Sequence, residues 1–158
     1  FILMMPGIPF IYYGDEIEMK YKNIKNKDGG YQRTGTRTPM QWDHSLNDGF
    51  SKASEKLLYL PLNTASNITL TDNLDDKDSI YYAIKELIKI RKTYSDLTSK
   101  EMIIEEDNRV ITLKRNSIHL ILNCSNNNLS IDDEIIYTTG KNNILRPYEC
   151  AIIKIVNN

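Results

Sequence analysis

The sequence predicts an α+β chain, and three observations predict it. Residues 7–14 form a short apolar, β-branched and aromatic run that stops at a glycine and is followed at once by two carboxylates, Asp15 and Glu16. Apolar residues then recur at helical spacing through residues 81–91. From Lys100 onward the apolar period changes from helical to two, in short runs separated by Asn, Asp, Ser and Gly. A run of the first kind reads as a buried parallel strand ending at a functional face, the second as an amphipathic helix, the third as antiparallel strands.

In chain order, the sequence opens on Phe1 inside an apolar run, residues 1–5, which is what a truncated chain looks like. It has neither the basic lead-in nor the cleavage site of a secretory signal, and no run approaches the roughly 20 apolar residues of a membrane span. A net charge of -1 over 158 residues argues against a nucleic-acid surface, which needs clustered excess Lys and Arg. The four lysines of residues 20–27 sit among Asn and Asp in a polar loop and read as a solvated face. Cys124 and Cys150 are too few for a disulfide framework and lack metal-ligand spacing. Two buried free thiols fit them best, and a reducing, cytoplasmic compartment follows.

Residues 23–36 hold three glycines among polar residues and are expected to be an exposed excursion. Pro39 fixes its own backbone and extends Thr38, so the loop is stiff where Arg37 sits. Trp42, the only tryptophan, fits a packing anchor better than a sugar platform. The apolar island at residues 57–62 contains Pro61, so it is extended. In the helix, Tyr81, Ile84, Leu87, Ile88 and Arg91 share one face and Lys85, Glu86, Lys89 and Lys92 the other, with Asp78 or Ser79 as cap. Beyond it, runs at 102–106, 109–115, 118–123, 131–137 and 150–156 are expected to form a small antiparallel sandwich or barrel.

Residues 7–16, Gly-Ile-Pro-Phe-Ile-Tyr-Tyr-Gly-Asp-Glu, and residues 37–43, Arg-Thr-Pro-Met-Gln-Trp-Asp, resemble the last barrel strand and following loop of the α-amylase superfamily, glycoside hydrolase family 13. The match is closest to its α-glucosidase, oligo-1,6-glucosidase and trehalose synthase branch. Glu18 departs from that pattern, which has glycine there. Residues 87–92 resemble the family's last barrel helix, and residues 145–149 the turn before its final strand. The resemblance implies that residues 1–97 are the C-terminal end of a catalytic (β/α)8 barrel and residues 98–158 a β-sandwich domain. Expressed alone, the first piece is expected to expose apolar surface and associate, and the β domain to fold independently.

For function, the resemblance implies a retaining enzyme of α-linked gluco-oligosaccharides, whose three catalytic carboxylates come from earlier barrel strands. None of them is then expected in residues 1–158. Asp15 and Glu16, neighbours on a strand, point to opposite sides and are poorly placed to flank one bond. They read as structural groups that hold adjacent backbone. Arg37 is the candidate substrate-binding residue: five fixed donors can grip vicinal hydroxyls. A structural ion pair is the competing role, and the family match favours sugar. Tyr12 or Tyr13 can stack on a ring. His44 reads as exposed and His119 as a sheet residue. No cofactor is called for, and Asp72, Asp75, Asp76 and Asp78 lack the pattern of a calcium loop. Glucosyl transfer or isomerisation and a non-catalytic sugar-binding module are the alternatives.

Overall fold

The computed structural model describes residues 1–27, 32–65 and 67–156. The chain divides into two compact units, one of Phe1–Pro9 with Glu86–Asn158, the other of Phe10–Lys85. This division does not follow the 97/98 boundary read from the sequence. Residues 1–9 and the end of the helix belong with the β-structure.

In the first unit, alternation of apolar side chains produces the strands β1 (Ile103–Asp107), β2 (Val110–Arg115), β3 (Ile118–Asn123), β4 (Leu129–Ser130), β5 (Glu134–Thr138), β6 (Ile144–Leu145) and β7 (Cys150–Lys154). Five of them form an antiparallel sheet in the order β1-β2-β3-β7-β5, and β4 pairs with β6 in a separate ladder. Tight turns join β1 to β2 and β2 to β3 because Asn108, Arg109 and Asn116 accept the left-handed backbone. Register follows burial. Leu113, Ile118, Leu120 and Ile152 point to one face, where they meet Met4, Ile90 and Leu97. Ala151 and Ile153 point to the other, against Ile131 and Leu145, so the small ladder covers that side.

The core therefore draws on residues that lie outside 98–158. Arg115 ties the same parts together. It is fully buried, and its guanidinium donates to the carbonyls of Glu101, Met4, Leu97 and Ser99. Arg91 donates to the carbonyls of Leu3, Met5 and Gly7 at 2.5, 3.0 and 2.6 Å. Both cysteines are free, as expected, but only half-buried.

The helix α2 (Ile80–Thr93) forms where the period predicts, after a shorter helix α1 (Leu70–Asp75) that the sequence reading missed. Lys85, Glu86, Lys89 and Lys92 are exposed, and Tyr81, Ile84, Leu87, Ile88 and Arg91 are half-buried, whereas the buried residue, Ile90, lies outside the face expected from the sequence. Ser79 stands at the helix entry, its carbonyl accepting from Ala83 N, while its hydroxyl is turned to the carbonyl of Asn73.

Residues 8–13 correct the expectation of a buried strand. They are irregular, with Ile8 82% and Phe10 83% exposed. A strand is defined by its partners, and among the described residues none runs beside this one to take its N–H and C=O groups.

In the second unit, the expected excursion at 23–36 is fastened at its stem. Lys22 N donates to the carbonyl of Gly35, and Thr34 Oγ1 donates to Asn26 Oδ1. Thr34 and Gly35 are buried. Gly29 and Gly30, on which the expectation partly rested, lie outside the described residues. The island at 57–62 follows a single turn at Glu55–Leu57, is extended at Leu58, bends at Tyr59 and Leu60, and buries only Leu60.

Candidate functional site

The chain turns sharply where the apolar run ends. Gly14, in the left-handed region at φ 90°, leads into a single 3-10 turn, Asp15–Ile17, that buries Ile17. The turn commits both carboxylates to the backbone just before them. Asp15 Oδ2 accepts from Tyr12 N at 2.9 Å, and Glu16 Oε2 accepts from Gly14 N at 2.8 Å. Asp15 is exposed and Glu16 half-buried.

The second stretch enters from another 3-10 turn, Thr34–Thr36, which Arg37 N closes on the carbonyl of Thr34 at 3.0 Å. Thr38, Pro39, Met40 and Gln41 are all buried, so the loop is held by its own centre. Tyr13 joins the two stretches, its hydroxyl donating to the carbonyl of Thr38 at 3.1 Å. Burial, and then the neighbouring Tyr12, push the Tyr13 phenol up to about 12, with the Arg37 charge pulling the other way. Trp42 is anchored through its backbone, Trp42 N on the carbonyl of Asp48 and Trp42 O under Thr71 N. Its ring stays 46% exposed.

Between these stretches lies a hollow of about 320 Å³. Glu16, Arg37 and Thr38 supply its polar groups, and Trp42, Phe50, Leu58, Tyr59 and Leu60 much of its apolar wall. Thr38 Oγ1 is buried and has no hydrogen-bond partner among the described residues. Of the residues named from the sequence, Tyr13, Glu16, Arg37 and Trp42 meet here, whereas Asp15 lines a smaller neighbouring hollow of about 80 Å³ with Tyr12. Phe50 and Tyr59 were missed; the proline-broken apolar island was the available signal for Tyr59.

Glu18, Asp72, Asp76 and Asp78 line another hollow of about 490 Å³. Among the described residues no group of three could hold a metal ion, and no helix is long and apolar enough to cross a membrane. His44 is exposed but pairs with Asp72 at 2.9 Å, and His119 lies on β3 with its ring against the carbonyl of Asn116.

Residues 1–100 match the family model of the α-amylase catalytic domain. Over 194 aligned residues the chain is 30% identical to an oligo-1,6-glucosidase of Heyndrickxia coagulans, covering 94% of this chain and 34% of the relative. A trehalose synthase/amylase of Mycolicibacterium smegmatis is 36% identical over 98 residues, covering 59% of this chain and 16% of that one. The trehalulose synthase MutB of Pseudomonas mesoacidophila superposes with a TM-score of 0.76 at 21% identity, covering 97% of this chain and 36% of that structure, which shows the fold alone. The chain thus spans about a third of the length of such relatives as the H. coagulans enzyme. The chain belongs to the α-amylase superfamily, glycoside hydrolase family 13, in the branch of α-glucosidases, oligo-1,6-glucosidases and trehalose synthases.

Proposed function

We infer that the chain is the C-terminal part of a cytoplasmic, retaining α-glucan-processing hydrolase of α-glucosidase type, acting on α-linked gluco-oligosaccharides. In this reading residues 1–97 end the catalytic (β/α)8 barrel and residues 98–158 are the trailing β-sandwich domain. The observation that carries it is the hollow in which Arg37 and Glu16 stand beside Trp42, Phe50 and Tyr59. A sugar ring needs this combination: an apolar face to stack on and a few fixed polar groups for its hydroxyls.

Arg37 is the substrate-binding residue. Its fork grips adjacent hydroxyls, while Asp15 and Glu16 hold the turn at residues 12–17 and the Trp42 backbone holds the loop. The two-step displacement needs a nucleophile and an acid about 5 to 5.5 Å apart, and other parts of the complete protein supply them. The 158 residues alone are then inactive. Glucosyl transfer or isomerisation is the second reading, favoured by the likeness to a trehalose synthase/amylase, and it differs in how well the closed site excludes water.

The test is Arg37→Ala in the complete enzyme, assayed on isomaltose and maltose. A loss of about 100-fold in kcat/KM on both, with the fold intact, is expected for one charged contact. Unchanged kinetics sink the role of Arg37, and isomaltose turned mainly into another disaccharide moves the assignment to isomerisation.

A further inference from the structure

The loop that carries Arg37 and Trp42 is tied at its far end to one short helix. The first two N–H groups of α1 are donors that a helix start leaves over. Leu70 N gives its hydrogen bond to the carbonyl of Gln41 at 2.9 Å, and Thr71 N gives its own to the carbonyl of Trp42 at 3.1 Å. The loop therefore caps the helix, and the helix anchors the loop.

Beside these two bonds, His44 Nε2 faces both carboxylate oxygens of Asp72, at 2.9 and 3.0 Å. Asp72 is also the acidic member of the α1 capping box, its Oδ2 accepting from Thr69 N at 2.7 Å and Thr69 Oγ1 at 2.8 Å. One carboxylate is thus shared between the helix cap and the imidazole on the loop. Of the three fastenings, only this one has a donor that titrates near neutrality.

We propose that the His44–Asp72 pair is a pH-responsive latch holding residues 41–44 against α1, closed while the imidazole is charged and loosened when it is neutral. The charged groups acting on His44 are Asp72 from α1, Asp48 from the turn Leu46–Gly49, and Asp43 from its own loop. All are carboxylates. The Asp72 hydrogen bond, then its charge, raise the His44 pKa above 6.5, against a smaller loss of hydration. Because the folded value lies above the unfolded one, the latch is fully present below the ordinary imidazole value and is lost as pH rises through the raised one. At the acid end it lasts until Asp72, which the His44 hydrogen bond and Thr69 hold down to about 2, is protonated. The two backbone bonds persist above neutrality, so the release is partial.

The experiment uses the 158-residue chain, in which Trp42 is the only tryptophan and sits on the latched stretch. Acrylamide quenching of its emission is followed from about pH 5 to about pH 9 in the wild type, His44→Gln and Asp72→Asn. Gln keeps a donor that cannot titrate, and Asn keeps an acceptor for the Thr69 cap without the charge. In the wild type the quenching constant should rise about twofold, a step of the size an exposed ion pair permits, with its midpoint above the ordinary imidazole value. His44→Gln should be flat, and Asp72→Asn should move the midpoint down. No step in the wild type, a step surviving in His44→Gln, or an unmoved midpoint in Asp72→Asn overturns the latch. Should circular dichroism show Asp72→Asn unfolded, the His44→Gln comparison decides alone. Sugar binding is not involved in the readout, so the latch and the proposed function can fail separately.

Discussion

Arg115 on β2 donates from Nη1 to the carbonyl oxygen of Met4 at 2.5 Å, across 111 residues of sequence. Its other donors go to the carbonyls of Glu101, Leu97 and Ser99, and the whole side chain is buried. Burial, with the nearby Arg91 charge, lowers its pKa below the ordinary guanidinium value. Carbonyls from two separate stretches, residue 4 and residues 97–101, thus share one cation. Replacing Arg115 with Met leaves those oxygens dry and unpaired, and should cost about 3 kcal/mol. The check is a fall in the urea midpoint at unchanged slope. Arg115→Lys should recover only part, since one ammonium cannot reproduce the planar fork.

Leu97 is fully buried in the core that holds Leu113, Leu120 and Ile152. Leu97→Ala should cost about 3 kcal/mol through lost burial and the cavity left behind. A chain of residues 98–158 lacks Met4, Ile90 and Leu97 altogether, and its thermal unfolding should be broad rather than cooperative. Cooperative melting near the temperature of the full chain would show the β domain self-sufficient.

Asp96 Oδ2 accepts from Ser117 N at 2.9 Å and from Ser117 Oγ at 2.5 Å. These hydrogen bonds hold its carboxyl below the usual carboxylate range. A depressed folded value means the bonds contribute stability above the unfolded pKa, and that this is lost as pH falls through the folded one. In Asp96→Asn that contribution is gone at every pH, so neutral-pH stability should fall toward the wild type's acid value and this part of the acid limb should vanish. Denaturant midpoints measured across the acid range provide the comparison.

A Cβ at Gly35 would stand 2.0 Å from the carbonyl oxygen of Lys22 and 2.6 Å from the Tyr21 ring. Because the nearest atom is backbone, Gly35→Ala must break the bond from Lys22 N to Gly35 O that closes the stem of residues 23–36. Proteolysis within residues 22–36 should accelerate, by about tenfold for a local loss near 1.4 kcal/mol.

The sheet was legible where a strand alternates and Asn marks the turn, as at β2 and β3 with Asn108 and Asn116, so periodicity fixes which face is buried; Ile118 and Leu120 against Ile121 are the plain case. The helix at 80–93 was legible for the same kind of reason. The run at 8–13 was not, since composition records that residues such as Ile8 and Phe10 want burial but not whether a partner is present to supply it. Arg37, Glu16 and Trp42 could be named from their motifs, yet their meeting with Phe50 and Tyr59 depends on chain path. The His44–Asp72 pair also escaped, because two polar residues 28 apart in loop and cap carry no periodic signature.

The compact unit made of Phe1–Pro9 and Glu86–Asn158 has a consequence for how the protein is born. A ribosome adds roughly 5 to 20 residues per second, so Met4 leaves the exit tunnel on the order of ten seconds before Arg115 does. Throughout that interval the carbonyl of Met4 lacks its guanidinium partner, and Met4 lacks the β2 and β3 side chains it packs against. Chaperone demand at residues 1–9 should therefore end abruptly when β2 emerges.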